Sequence, residues 1–148
     1  VKRILSYDAD WMKRMFVKIV SEDADNEVEL QKIASSYGFS PRVLSHNKLD
    51  DSSFIMMEDL EAECLADVYG ENPDNIPLWI WDEIRSMVTA LFDQEGIEYV
   101  DITPYNFIEK DNRIYMIDFG DAKYTNGEVN WFLSEFLDGE NSWNPDYK

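Results

Sequence analysis

Short apolar runs alternate with polar turns in the first half of the chain, which is the pattern of β-strands. Residues 1–5 and 15–20 predict the two strands of a hairpin. Two further strands are expected at residues 42–45 and 54–57, joined by a polar turn over residues 46–53. This part of the chain is therefore expected to form a small β-sheet.

One segment between these strands has helical periodicity instead. Leu30, Ile33, Ala34 and Tyr37 fall on one face of a helix over residues 27–37. Asp25 and Asn26 are suited to cap its start, and Gly38 stands where a helix stop is expected. The sheet is thus predicted to carry a single helix.

The second half of the chain is mainly helical in pattern. Residues 64–69 predict one or two helical turns, and a long helix follows until Gly96. Two short strands fit residues 107–108 and 114–117, and an amphipathic helix closes the pattern at residues 129–137. The fold class predicted from the whole chain is α+β.

The charge balance limits the partners of this chain. Its 148 residues contain 13 Lys and Arg against 31 Asp and Glu, which gives a net charge of −18. Such a surface repels phosphate backbones and anionic lipids, so general nucleic-acid binding and membrane binding are not expected. Cys64 is the only cysteine and cannot form an internal disulfide, which favours a reducing, cytoplasmic location.

Candidate chemistry is concentrated in two stretches of the second half. Asp101 and Asn106 are separated by four residues, and Asp118 follows an apolar strand and precedes Phe119 and Gly120. Phosphoryl transfer requires a carboxylate beside the attacking hydroxyl and oxygen ligands that hold magnesium on the phosphates. The three residues supply that set.

This ordered pattern resembles the protein-kinase-like superfamily, and the chain is similar to the small atypical serine/threonine kinases of the RIO and KEOPS type. The resemblance implies that Asp101 orients the acceptor hydroxyl and that Asn106 and Asp118 hold magnesium. It implies ATP as the nucleotide and a protein as substrate or partner. It also implies a small N-terminal β-sheet lobe with one helix and a reduced helical C-terminal lobe.

Two residues of the first half complete the implied site. Lys18, in the run Phe-Val-Lys-Ile, resembles the strand lysine that contacts the α and β phosphates in this family. Glu27 resembles the helix glutamate that pairs with that lysine, and Glu29 is the alternative partner.

The resemblance also divides the chain. It implies a single domain over residues 1–148, with an N-lobe at 1–57, a hinge at 58–60 and a C-lobe at 61–148. Met57, Glu58 and Leu60 resemble the segment whose backbone meets adenine.

Departures from the family pattern leave two functional classes open. The first glycine is Gly38, so residues 1–17 hold no glycine-rich phosphate loop ahead of Lys18. Either the strand pair that carries this loop in the family lies outside residues 1–148, or the hairpin over residues 1–20 keeps only part of the usual sheet. Tyr99-Val100 also replaces the usual His-Arg before Asp101. One expectation is a minimal ATP- and magnesium-dependent phosphotransferase. The alternative is a catalytically weak or inactive kinase-like module, a pseudokinase or decoy that binds and modulates another kinase or partner protein.

Overall fold

The structure, a computed structural model, describes residues 2–5, 14–140 and 142–147. The chain divides into two compact units, Val1–Glu61 and Ala62–Lys148. Both combine helices with small antiparallel sheets, which confirms the predicted α+β class. No helix within the described ranges is both long and apolar enough to cross a membrane.

The first unit is a four-stranded antiparallel sheet with one helix. The strands lie in the order β1-β2-β4-β3. Their bounds and that of the helix are β1 Lys2–Leu5, β2 Arg14–Val20, α1 Asp25–Ser36, β3 Val43–Leu49 and β4 Ser52–Glu58.

The core of this unit lies between the sheet and α1. In β4 every second residue is buried, as expected for a strand with one face on the core. Its Ile55 and Met57 form a buried cluster with Ala24 and Val28 at the start of the helix. The cluster fixes where the first turn of α1 meets the sheet.

The predicted hairpin and helix are confirmed, but two details were wrong. The structure pairs β1 with β2 in antiparallel register. The helix begins at Asp25, whose N–H donates to the carboxylate of Asp23 at 2.8 Å, so Asp25 and Asn26 are not its cap. The turn predicted at residues 46–53 is shorter. Strand β3 continues to Leu49 and β4 begins at Ser52. Residues 47–49 are exposed on an outer strand of the sheet, where polar side chains do not interrupt pairing.

The second unit is built on one long helix. Its elements are α2 Leu65–Tyr69, a 3₁₀ turn Pro73–Asn75, α3 Leu78–Glu95, β5 Ile97–Glu98, β6 Phe107–Lys110, β7 Arg113–Met116, β8 Lys123–Tyr124 and α4 Trp131–Leu137. Strand β6 pairs with β7, and β5 pairs with β8, both antiparallel.

The long helix was correctly predicted. Ile80, Ile84, Val88 and Leu91 are buried along one side of α3 at helical spacing. The helix ends at Gly96, whose φ of 66° is left-handed and therefore suits glycine. The closing helix was also found, but it begins at Trp131, because the side chain of Asn130 accepts the first N–H groups of the turn.

A tight turn joins β6 to β7. Lys110 pairs with Arg113, so only Asp111 and Asn112 form the loop. Both have positive φ, 52° and 61°, as a type I′ turn requires. The turn fixes the register of the hairpin, and that register determines which residues meet at its open end.

Candidate functional site

Lys18 and Glu27 form an ion pair inside the first unit. Lys18 lies on β2, and its Nζ is 2.5 Å from Oε2 of Glu27 in the first turn of α1. The two side chains are only 16% and 8% exposed. Removing either partner would leave the other charge poorly solvated, so the pair is a strong constraint on both side chains. The short sequence spacing of nine residues still allows this contact.

The alternative partner, Glu29, occupies a different position on the helix. It lies two residues beyond Glu27, which corresponds to a rotation of about 200° around the helix axis. Glu29 is exposed, whereas Glu27 is buried. Glu27 is therefore the glutamate that contacts Lys18 from the protected face of α1.

The segment expected to meet adenine lies at the end of β4. Met57 directs its side chain into the core of the first unit, where its sulfur is 3.4 Å from Nε2 of Gln31. Glu58 is held to Arg42: its N–H donates to the carbonyl of Arg42 at 3.0 Å, and its carboxylate accepts the Arg42 N–H at 2.8 Å. Leu60 is half-buried just beyond the strand. The nucleotide contacts of Met57, Glu58 and Leu60 stay predictions.

In the second unit, Asp101 and Asn106 belong to one closed loop. Both are 6% exposed. The side-chain Nδ2 of Asn106 donates to the backbone carbonyl of Asp101 at 2.9 Å, and its backbone N–H donates to Thr103 at 3.2 Å. The bond from Nδ2 fixes the orientation of the amide, so Oδ1 faces away from the Asp101 carbonyl. The loop thus presents an amide oxygen in a defined direction.

The β6–β7 hairpin brings Asp118 to the same end as Asn106. Phe107 pairs with Met116, and the N–H of Ile117 donates to the carbonyl of Asn106 at 3.0 Å. Asp118 is the next residue, and its Oδ1 accepts the Gly120 N–H at 2.9 Å. Asn106 therefore lies opposite Ile117, and Asp118 is the next residue beyond that pair at the open end of the hairpin.

Tyr99 shows that Asp101 and Asp118 share one electrostatic environment. Its ring is fully buried and packs edge-on against Phe119, with centroids 5.2 Å apart. Burial raises the pKa of the Tyr99 hydroxyl well above its usual value, and the negative charges of Asp118 and Asp101 raise it further. The fields of both carboxylates therefore reach the same phenol. Lys18 and Glu27 meet in the first unit, and Asp101, Asn106 and Asp118 converge in the second.

Asn144 is a site residue that the sequence did not reveal. It is 2% exposed, and it holds the backbone on both sides of Asp101. Its side-chain Nδ2 donates to the carbonyl of Val100 at 2.8 Å, and its backbone N–H donates to the carbonyl of Ile102 at 2.9 Å. The only local signal is an Asn-Pro pair, which is typical of a turn. A contact across 44 residues has no counterpart in periodicity.

The donor set at the hairpin end fits a hard cation. Carboxylate and amide oxygens are the ligands that magnesium prefers, and magnesium usually takes its other ligands from water and phosphate. Asp118 has carboxylate oxygens, and Asn106 has an amide oxygen. Within the described ranges, no group of three or more His, Cys, Asp or Glu side chains is placed to hold a metal ion.

Comparison with known proteins gives no relative from which function could be transferred. No protein-family model and no curated protein matches the chain.

Proposed function

We propose that this chain is a minimal kinase-like phosphotransferase of the serine/threonine type that uses ATP and magnesium. The observation that supports this best is the convergence of Asp101, Asn106 and Asp118 in the second unit. A closed loop holds the first two, and the β6–β7 hairpin brings the third to the same end as Asn106, one residue beyond its partner Ile117. These are the residue types that phosphoryl transfer requires, in the order typical of the protein-kinase-like superfamily.

In this proposal Asn106 and Asp118 hold magnesium through their side-chain oxygens. The bound ion supplies neutralisation of the phosphate charge, which matters in a protein with a net charge of −18. The hydrogen bond from Gly120 to Asp118 and the bond from Asn106 to Asp101 orient both ligands beforehand. Orientation before binding lowers the entropic cost of assembling the site.

Asp101 acts on the acceptor. Its carboxylate accepts a hydrogen bond from the acceptor hydroxyl and takes the proton as the new oxygen–phosphorus bond forms. The bond from the γ-phosphorus to the β–γ bridging oxygen breaks, and ADP leaves with that electron pair. Asn144 fixes the backbone on both sides of Asp101, which keeps the carboxylate in place.

Lys18 and the segment over residues 57–60 bind the nucleotide in this proposal. Lys18 contacts the α and β phosphates, and its bond to Glu27 holds the ammonium group in one position. The backbone beyond β4 meets adenine, with Leu60 beside it. The N–H of Glu58 already donates to Arg42, so we assign adenine recognition to other backbone groups of this segment.

The rate is expected to be low. Protein kinases turn over at about 1–100 per second. Residues 1–37 contain no glycine, so none of them forms a glycine-rich loop that could supply backbone donors to the phosphates. The loss of one preorganised donor commonly costs about a hundredfold in rate. We therefore expect on the order of 1 turnover per second at most.

The test is an assay of ADP and of labelled protein with γ-labelled ATP and magnesium. Asp101→Asn should lower turnover at least about a hundredfold, because it removes the base, yet leave ATP affinity within about twofold. Asp93→Asn, at an exposed position of α3, is the matched control and should behave as wild type. An unchanged rate in Asp101→Asn would exclude this site as its source. ATP binding without any turnover in wild type would favour the non-catalytic binding module instead.

A further inference from the structure

A groove of about 260 Å³ lies beside the Asp101 loop in the second unit. One wall is the loop itself, through Thr103 to Tyr105. The other wall is the segment over residues 143–147, which follows the last helix. The residues that line it are Glu71, Thr103, Pro104, Tyr105, Trp143, Asn144, Pro145 and Tyr147.

The groove adjoins the proposed catalytic carboxylate. Asn144 joins its two walls, since it lines the groove and bonds to the carbonyls of Val100 and Ile102. Tyr147 also lines it, and its pKa is raised by burial and then by the negative charges of Asp121 and Asp101. The field of Asp101 therefore extends to a groove residue. A ligand here would lie next to the acceptor position.

The chemistry of the lining favours a cation. Three aromatic residues contribute, and the electron-rich faces of such rings attract Arg and Lys side chains. Glu71 adds a carboxylate at the exposed rim, held by the Tyr105 hydroxyl at 2.6 Å. None of the residues that line this groove is Lys, Arg or His. An anionic ligand would be repelled here.

The size of the groove points to part of a larger ligand. Sites for whole drug-sized molecules usually measure about 300–1,000 Å³, and this groove, at about 260 Å³, is smaller. It suits one long side chain. The groove is also open along the surface beside the loop, so the rest of a peptide can continue past it.

We propose that this groove binds the arginine or lysine side chain of a peptide whose neighbouring serine or threonine is the phosphate acceptor. The inference rests on the proposed function, since it names the acceptor of the same site. It defines the substrate class as basic hydroxyl-bearing peptides. The net charge of −18 supports the same choice by attracting basic peptides to the protein as a whole.

The test is calorimetry of the full chain with short peptides, without nucleotide or metal. One peptide carries Arg next to a Gly-Ser pair, and its twin carries citrulline, which has nearly the shape of arginine but no charge. The arginine peptide should bind about tenfold more tightly, as expected for a cation held by rings and a carboxylate. Equal affinity for both peptides would overturn the proposal.

Single substitutions test whether the arginine peptide binds in this groove. Glu71→Gln should weaken the arginine peptide about fivefold. The same change at Glu83, exposed on α3 and outside the groove, should alter affinity less than about twofold. Tyr147→Leu should weaken peptide binding, whereas Tyr147→Phe should leave it close to wild type, because the ring face is what contacts the cation. Equal losses in Glu71→Gln and Glu83→Gln would show general charge attraction and would overturn the assignment to this groove.

The phosphotransferase proposal and the peptide-groove proposal can be tested independently. Peptide binding is measured without ATP, so absence of turnover leaves its result unchanged. If the arginine peptide binds as described but ATP does not, the groove stands as a binding site and the phosphotransferase proposal fails. If ATP is turned over but arginine and citrulline peptides bind and react equally, only the acceptor assignment fails.

Discussion

Glu27 and Glu29 are chemically identical residues, two positions apart, with opposite surroundings. Glu27 is buried and contacts the ammonium of Lys18, whereas Glu29 is exposed. The position of each side chain relative to the sheet, rather than the sequence spacing from Lys18, decides which one pairs. The sequence left both open because nine residues from Lys18 to Glu27 is a short spacing for the family pattern, and spacing along the chain does not show which side of a helix faces the sheet.

This difference predicts unequal costs for the same substitution. Glu27→Gln should lower the free energy of unfolding by about 1–2 kcal/mol, because a charge-assisted hydrogen bond becomes a neutral one beside Lys18. Glu29→Gln should change it by less than about 0.5 kcal/mol. Urea unfolding at pH 7 measures both. Equal stability of the two variants would contradict the structural role of the Lys18–Glu27 pair.

Tyr99 provides a test of pH dependence at a single residue. Burial, together with the charges of Asp118 and Asp101, raises the pKa of its hydroxyl in the folded protein. The unfolded chain releases this proton near pH 10, where the folded chain still holds it. The contribution of Tyr99 to the free energy of unfolding is therefore fully present below about pH 10 and is lost as the pH rises toward the folded pKa.

Tyr99→Phe should remove this contribution. At pH 7 the variant should lie within about 1 kcal/mol of wild type, because the ring and its contacts with Phe119 remain. Between pH 10 and 11 the wild type should lose up to about 1.4 kcal/mol more than the variant. Urea unfolding at pH 9, 10 and 11 checks this, and parallel curves for the two proteins would refute it.

At the scale of elements, the segment after α4 supports the loop that contains Asp101. Its Asn144 bonds to the carbonyls of Val100 and Ile102 and in turn accepts the Asp146 N–H at 3.0 Å. Trp143 beside it packs on Trp81 of α3, with ring centroids 4.4 Å apart. The segment thus ties the Asp101 loop to the long helix.

Asn144→Ala should therefore act on stability and on turnover together. It removes the Nδ2 bond to the Val100 carbonyl, which keeps the N–H of Ile102 at 2.8 Å, and it removes the acceptor of the Asp146 N–H. The loss of these two bonds should cost about 1–3 kcal/mol. Turnover should fall more than ATP affinity does, since Asp101 rather than the magnesium ligands loses support. Asn75→Ala is the control, because the Asn75 side chain is exposed and donates a long hydrogen bond of 3.5 Å to the Tyr69 carbonyl. A loss of stability in Asn144→Ala no larger than in Asn75→Ala would contradict this role.

Elements with a local signal were predictable from the sequence. The long helix has apolar residues at helical spacing and a glycine in left-handed conformation after it, and both features are local. The hairpin carrying Asp118 was also located, because an apolar run on each side of a polar turn is a short-range pattern. Asp101, Asn106 and Asp118 were proposed from their order and spacing along the chain, which is a local pattern too, and their role as site residues stays a prediction.

Elements that depend on distant partners were not predictable. Strand β3 runs through the polar residues 46–48 to Leu49, because pairing with β4 rather than side-chain pattern extends it. The 142–147 segment reads as a polar tail, yet Asn144 is one of the most buried polar residues among those described. Its partners lie 42 and 44 residues away, and only the fold brings them together.

At the scale of the whole molecule, acidity is the dominant property. With a net charge of −18, the protein must offset the negative charge of ATP before it can bind. In the proposed function Lys18 provides a cation for the phosphates, and Asn106 and Asp118 would hold magnesium. Nucleotide affinity should therefore depend strongly on the metal, which links residue chemistry to the charge of the entire chain.

The most direct test of the central claim is calorimetric titration of ATP into wild type, Asp118→Asn and Asp93→Asn, each with magnesium and with EDTA. We predict that magnesium strengthens binding at least about tenfold in wild type and in Asp93→Asn, because Asp118 would hold the ion that neutralises the phosphate charge. In Asp118→Asn that gain should disappear. Equal magnesium-dependent affinity in wild type and Asp118→Asn would contradict the assigned site.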